Sequence, residues 1–173
     1  MVFERAEEKD FSAIKQLYWD AIDYMDKNNS SIGWRKGIYP SDEFIKESTA
    51  KGEMYVLRDK DGICAAVILN SVCNEGYKNI KWAYDFSADE IFVPHALVVR
   101  ADIRGRGIGK IFIENIFALG RKEGKKAVRL DIMGNNSSAE KLYLKTGFVF
   151  AGEEDMYYKE AGWAKFRMFE KLL

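Results

Sequence analysis

Between His95 and Lys110 the chain reads His-Ala-Leu-Val-Val-Arg-Ala-Asp-Ile-Arg-Gly-Arg-Gly-Ile-Gly-Lys, an apolar strand that runs through a glycine-rich turn straight into an amphipathic helix. That order points to an α/β fold with an anion site at the strand-to-helix turn. Glycines at 105, 107 and 109 let backbone approach an anion closely, and the first amides and positive dipole end of the following helix add neutralisation. Arg100, Arg104, Arg106 and Lys110 crowd the same stretch against a single acid, Asp102. The expected ligand is therefore highly anionic.

Two familiar phosphate loops do not fit. A Walker A loop ending at Gly109-Lys110 requires Gly at 104 and Ser or Thr at 111, where the chain has Arg104 and Ile111. A dinucleotide fingerprint G-x-G-x-x-G begun at 105 meets Lys110, and begun at 107 it meets Phe112. What fits is R-x-x-G-x-G after a strand reading L-x-V, followed downstream by Asn136-Ser-Ser-Ala139-Glu-Lys-Leu142-Tyr143-Leu-Lys-Thr-Gly147-Phe148. The first resembles the acetyl-CoA loop of the GNAT (Gcn5-related N-acetyltransferase) superfamily. The second resembles that family's signature N-x-x-A-x-x-L-Y-x-x-x-G-F, with every specified position filled. The two motifs cover the stretch 93–150, and elsewhere the chain matches the family in its order of elements.

The length of 173 residues suits one domain, 1–173, and 47% hydrophobic residues suffice for one substantial core. Zero formal net charge gives no support to nucleic-acid or membrane partners. The chain has no apolar run of membrane-spanning length and starts Met-Val-Phe-Glu-Arg, without the apolar core of a signal peptide, so a cytoplasmic location is expected. Cys64 and Cys73 are the only cysteines, which indicates neither a disulfide framework nor a metal site.

Along the chain, Val2 to Arg5 reads as a strand, followed by a helix whose stripe Phe11, Ile14, Leu17, Tyr18, Ile22 and Met25 faces a core. A polar break at Lys27-Asn-Asn-Ser-Ser and an aromatic loop, Ile32 to Pro40, lead to a second helix capped by Ser41. Met54 to Leu57 and Ile63 to Leu69 form a hairpin turning at Asp59-Lys-Asp-Gly62. The segment Asn70 to Glu90 reads as a loop with room for short strands, and Ile91 to Val99 as a strand that Pro94 bulges or splays. A helix then carries Ile108, Phe112, Ile116 and Leu119 and stops near Gly124, and Ala127 to Met133 is a buried parallel strand. Ser137 to Glu140 has capping-box spacing, which starts the last helix at about 137 and ends it at Gly147. The tail, Phe148 to Tyr158, a turn at Glu160-Ala161-Gly162 and Trp163 to Glu170, reads as a C-terminal β-hairpin. The resemblance implies the GNAT fold, a mixed and centrally splayed sheet flanked by helices.

It also implies roles. The pyrophosphate of acetyl-CoA would rest on the segment Arg104, Gly105, Arg106, Gly107, Ile108, Gly109 and Lys110. Pantetheine would pair with Leu97, Val98 and Val99, and a strand amide would face the thioester oxygen. His95, the only histidine, resembles the base-position histidine of the arylalkylamine acetyltransferases, against the plain alternative of a histidine satisfied by backbone. Glu90 and Glu153 are substitute bases. Tyr143 matches the tyrosine that protonates the departing thiolate, or is simply an aromatic on a buried helix face. Asn136 would bond pantetheine or cap a helix. Trp34, Tyr39, Trp82 and Tyr84 lie in irregular segments where the family places acceptor walls, though loop aromatics also pin loops to a core.

Ala101 stands where the family commonly has proline. Val93 occupies a position where some members carry a basic glutamate, which excludes a glutamate mechanism from that position. The expected activity is transfer of an acetyl group from acetyl-CoA to a primary amine, preferably of a small molecule, by direct attack, without a metal and with a homodimer allowed by the resemblance. A CoA-binding sensor without turnover, a protein N-terminal acetyltransferase and an enzyme using a longer acyl-CoA are the competing readings.

Overall fold

The structure is a computed structural model that describes residues 1–30, 32–159 and 162–173. Its seven strands are β1 (Val2–Arg5), β2 (Met54–Asp59), β3 (Gly62–Asn70), β4 (Ile91–Val99), β5 (Ala127–Met133), β6 (Val149–Tyr158) and β7 (Gly162–Leu172). They follow the order β1-β2-β3-β4-β5-β7-β6 in one mixed sheet. Four helices accompany them: α1 (Phe11–Lys27), α2 (Asp42–Ala50), α3 (Ile108–Lys122) and α4 (Ser137–Lys145). The chain divides into two compact units, Met1–Leu69 with His95–Phe112, and Asn70–Pro94 with Ile113–Leu173.

In the first unit the helical stripe behaves as its periodicity predicts. Ile14, Leu17, Tyr18 and Ala21 of α1 bury against Ile45, Met54, Val56, Ala66, Ile68 and Val98, with Phe11, Trp34, Phe44 and Ala96 packed around them. Ser41 caps α2 by accepting the Phe44 amide at 3.1 Å, and Asp42 and Glu43 occupy the first turn. β3 is buried from Ile63 to Leu69, as a strand covered on both faces must be. Tyr55 stacks on Phe3 at 5.3 Å, and Phe3 meets Phe112 edge-on at 5.7 Å.

In the second unit β5 is central. It pairs with β4 in parallel only at Ile91↔Ala127 and Phe92↔Val128, and with β7 antiparallel from Ala127↔Leu172 to Met133↔Phe166. Parallel pairing therefore stops two residues before Pro94, which has no N–H to offer. The strand's backbone irregularity falls at Ala96, whose φ is +50°. β6 and β7 form the expected antiparallel hairpin, and Glu160 and Ala161 of the anticipated turn lie outside the described residues.

Two local expectations are corrected. Beyond Asn70, where β3 ends, the segment to Glu90 forms no strand among the described residues; it makes two 3₁₀ turns, Glu75–Asn79 and Ala88–Glu90. Side chains organise it, since Asn74 Oδ1 accepts the Gly76 amide at 3.0 Å and the Trp82 indole donates to the Tyr77 carbonyl at 2.9 Å. The cap of α4 is Asn136 rather than Ser137: its Oδ1 accepts the Ala139 amide at 3.1 Å, and Glu140 turns instead to the Arg167 guanidinium at 2.8 Å.

Candidate active site

The turn between β4 and α3 is open where an anion would need it open. Gly105 and Gly107 have φ of +79° and +81°, a region that costs an L-residue about 1–2 kcal/mol. A Cβ built on either meets nothing within 4 Å, so the backbone there is uncovered. Gly109 lies inside the first turn of α3 and is not among the glycines at positive φ. The first helical bond runs from the Ile111 amide to the Gly107 carbonyl at 3.1 Å, and the amides ahead of it open the helix toward the turn.

The four cations divide. Arg100 is held by Asp102 at 2.8 Å and lies 3.8 Å from Asp59, so it braces the turn. The Arg104 guanidinium lies 4.9 Å from the centroid of the Tyr24 ring, while Arg104, Arg106 and Lys110 are all exposed. An exposed cationic rim around bare backbone fits a polyanionic group such as the phosphates of CoA. Leu97 and Val99 are half-buried on β4 and Val98 is buried in the core of the first unit. His95 is half-buried immediately before Ala96.

The substitute bases have other work. Glu90 Oε2 accepts the Ser87 amide and hydroxyl, each at 3.0 Å, and Glu153 pairs with Arg167 at 3.1 Å. Of the acceptor-wall aromatics in the first unit, Trp34 meets Tyr18 edge-on at 5.7 Å and Tyr39 at 6.1 Å, and Tyr39 stacks on Phe44 at 5.7 Å. In the second unit Trp82 covers the Arg129 guanidinium at 4.5 Å, whereas Tyr84 is largely exposed and stacks on Phe86 at 5.5 Å. Pinning thus accounts for three of the four, and Tyr84 alone offers an open ring.

Tyr143 is buried on α4, its ring edge-on to Phe148 at 5.3 Å. Burial first, and the negative charge of Asp131 second, push its phenol well above the ordinary tyrosine range. Asp131 is the residue that sequence reasoning missed. Its Oδ1 accepts both the Tyr77 hydroxyl at 2.8 Å and the Tyr158 hydroxyl at 3.1 Å. Desolvation raises its carboxyl above the usual aspartate value, although both tyrosines oppose the rise. Strand alternation was the available signal, because Arg129 and Asp131 share one face of an otherwise apolar strand. The thiols are unactivated: burial raises both, and buried Cys64 donates to the Leu57 carbonyl at 3.1 Å.

The acetyltransferase (GNAT) domain family matches residues 50–150, which span β2 to the start of β6 and include both motifs. The chain belongs to the GNAT acetyltransferase family. Its GNAT fold is shared at TM-score 0.82 with a GNAT-family acetyltransferase of Streptococcus agalactiae, at 17% identity over 99% of this chain and 95% of that one. A ribosomal-protein-alanine N-acetyltransferase of Brucella melitensis superposes at TM-score 0.69 and 16% identity over 100% of each chain. At those identities the likeness is one of fold. An uncharacterized N-acetyltransferase of Methanocaldococcus jannaschii is 28% identical over 91 residues, which are 53% of this chain and 40% of that relative. GNAT enzymes use acetyl-CoA as co-substrate and act on amines. Among the described residues no helix is long and apolar enough to cross a membrane.

Proposed function

We propose that the protein transfers an acetyl group from acetyl-CoA to a primary amine of a small molecule. The observation that carries the reading is the open glycine turn at 105–107 at the head of α3, rimmed by exposed Arg104, Arg106 and Lys110. Bound there, acetyl-CoA would supply a thioester whose carbonyl carbon takes the amine nitrogen as the carbon–sulfur bond breaks. Backbone of the 104–110 segment would hold the phosphates, and Leu97 to Val99 would orient the pantetheine chain. Asn136 Oδ1 accepts the Ala139 amide at the α4 cap, and its side-chain NH2 would donate to the pantetheine chain.

His95 would accept the proton that the ammonium must lose, as a neutral imidazole can. A second reading gives this role to Asp131, because its desolvated carboxyl is raised and its charge is felt at Tyr143. Tyr143 would serve the thiolate. With its phenol pushed upward, it acts first as a hydrogen-bond donor, and gives up its proton fully only to a thiolate whose basicity desolvation has raised as well. The acceptor is proposed small because the chain carries no net charge to attract a polyvalent partner and Tyr84 offers an exposed ring. A protein amino terminus is the competing acceptor, as the name of the Brucella neighbour illustrates.

Thiol release from acetyl-CoA, measured over amines, amino acids, aminoglycosides and peptides with CoA affinity on the same preparation, tests the reading. Turnover with a small amine is the expected result. Turnover confined to peptides moves the acceptor class, and tight CoA binding without turnover favours a sensor.

A further inference from the structure

Ala96 holds a positive φ of +50° in the middle of an apolar strand, a conformation that alanine adopts only under constraint. The constraint is visible. Tyr18, on α1 and 1% exposed, donates its hydroxyl to the Ala96 carbonyl at 2.8 Å, and Trp34 presses edge-on against the Tyr18 ring at 5.7 Å. Strand carbonyls ordinarily point sideways into the ladder, but this one turns to a helix packed on the sheet face. Only Tyr39–Pro40 is cis among the described peptides, so the Ala96–Leu97 peptide is trans and its N–H points opposite to its C=O. The Leu97 amide is consequently aimed away from α1.

We propose that Tyr18 is a positioning residue for acetyl transfer: by holding the Ala96 carbonyl it turns the peptide that follows, so that the Leu97 amide faces the thioester oxygen. The inference rests on the acetyl-transfer reading above and adds to it the residue that aims the donor. No bond forms or breaks at Tyr18. Its hydroxyl stays protonated at every working pH, because burial raises it well above the ordinary phenol value. The advantage of the arrangement is preorganisation, since a donor already fixed needs no reorientation as negative charge develops on the oxygen.

Tyr18→Phe keeps the ring and removes the bond. Its kcat is expected to fall at least tenfold while the KM for acetyl-CoA and the Kd for CoA change less than twofold. Amide hydrogen exchange is expected to accelerate at 95–98 and nowhere else in the sheet. Adding Ala96→Gly should recover at least threefold of the lost kcat, because glycine takes a positive φ without being held there. Should Tyr18→Phe fail to fold, Ala96→Val probes the same device with Tyr18 intact, since a β-branched residue is driven out of that φ region; kcat should again fall with CoA binding retained. Wild-type kcat in Tyr18→Phe, or a loss that Ala96→Gly leaves untouched, overturns the inference and leaves acetyl transfer standing. A wild-type protein without turnover on any amine fails the acetyl-transfer reading and takes the inference with it.

Discussion

The turn at 104–107 and the segment 71–90 both lie outside the strands and α-helices, yet they are held in opposite ways. The first is held by its own sequence. Glycines at positive φ, an acid pairing Arg100 and a helix that starts at Ile108 shape it locally, and its cations remain exposed. The second is held by residues distant in the chain. The Ala83 amide donates to Glu170 at 3.0 Å, Arg129 donates to the Tyr84 carbonyl at 2.6 Å, and Arg129 and Glu170 pair at 2.8 Å while both stay about 5–6% exposed. Trp82 and Phe86 close over the Arg129 guanidinium at 4.5 and 5.7 Å. One loop is left open and shaped by its own backbone; the other is clamped by side chains from distant strands.

The sharpest break in this contrast is expected from Arg129→Met. It strands the Glu170 carboxylate in a buried site, which costs about 3–5 kcal/mol, or roughly a 10 °C fall in Tm for a chain of this size. Thermal unfolding of the CoA-free protein measures it. An unchanged Tm would mean that the 82–86 segment is not clamped through this pair. No comparable loss is expected from Arg106→Met, whose side chain is exposed.

The difference also explains what was legible in the sequence. The glycine turn before α3, the Ser41 cap, the α1 stripe and the C-terminal hairpin are written in local patterns, and each forms where those patterns put it. The strap at 82–86 is not, because its partners Arg129 and Glu170 lie 40 or more residues away and nothing in its own composition names them. Trp82 and Trp34 therefore read equally well as acceptor walls or as pins until their neighbours are known. Asp131 stayed hidden for a related reason: an aspartate on a strand gains meaning only when Tyr77 and Tyr158, from two distant segments, meet its Oδ1. The capping box at Ser137 competed with a better cap one residue earlier, and Arg167 drew Glu140 away.

On the catalytic side, Tyr143→Phe is expected to lower kcat about a hundredfold, the lower end of general-acid effects, with CoA affinity kept. Because the Tyr143 phenol is pushed upward, no alkaline limb in the pH–rate profile below about pH 10 belongs to it, and wild type and variant should share the same profile shape there. A variant within threefold of wild type would return Tyr143 to the role of a packed aromatic against Phe148. On the turn, Gly107→Val must either take a strained φ or move the backbone, at about 1–2 kcal/mol, and acetyl-CoA affinity is expected to fall about tenfold by calorimetry. Tm should fall by only about 5 °C, the backbone cost alone, since a side chain there meets nothing. A Tm loss as large as that of Arg129→Met would erase the contrast between the two loops.

The smallest effect is expected at Asp131, and its sign is fixed by the direction of its shift. A carboxyl raised in the folded state holds more protons folded than unfolded as pH climbs past the ordinary aspartate value near 3.9. Stability then decreases with rising pH across that window, and is independent of this group once pH exceeds the folded value. Asp131→Asn keeps an acceptor for the Tyr77 and Tyr158 hydroxyls and removes the titration, so its Tm against pH should be flatter than that of wild type as pH rises above about 4. The Tyr77 and Tyr158 hydroxyls oppose the rise, which keeps the change modest. The same variant separates the two bases: if Asp131 takes the amine proton, the acid limb of kcat disappears in Asp131→Asn and persists in His95→Ala, and if His95 takes it the pattern reverses. Loss of the Tm slope with an intact acid limb would make Asp131 a structural acceptor for two tyrosines.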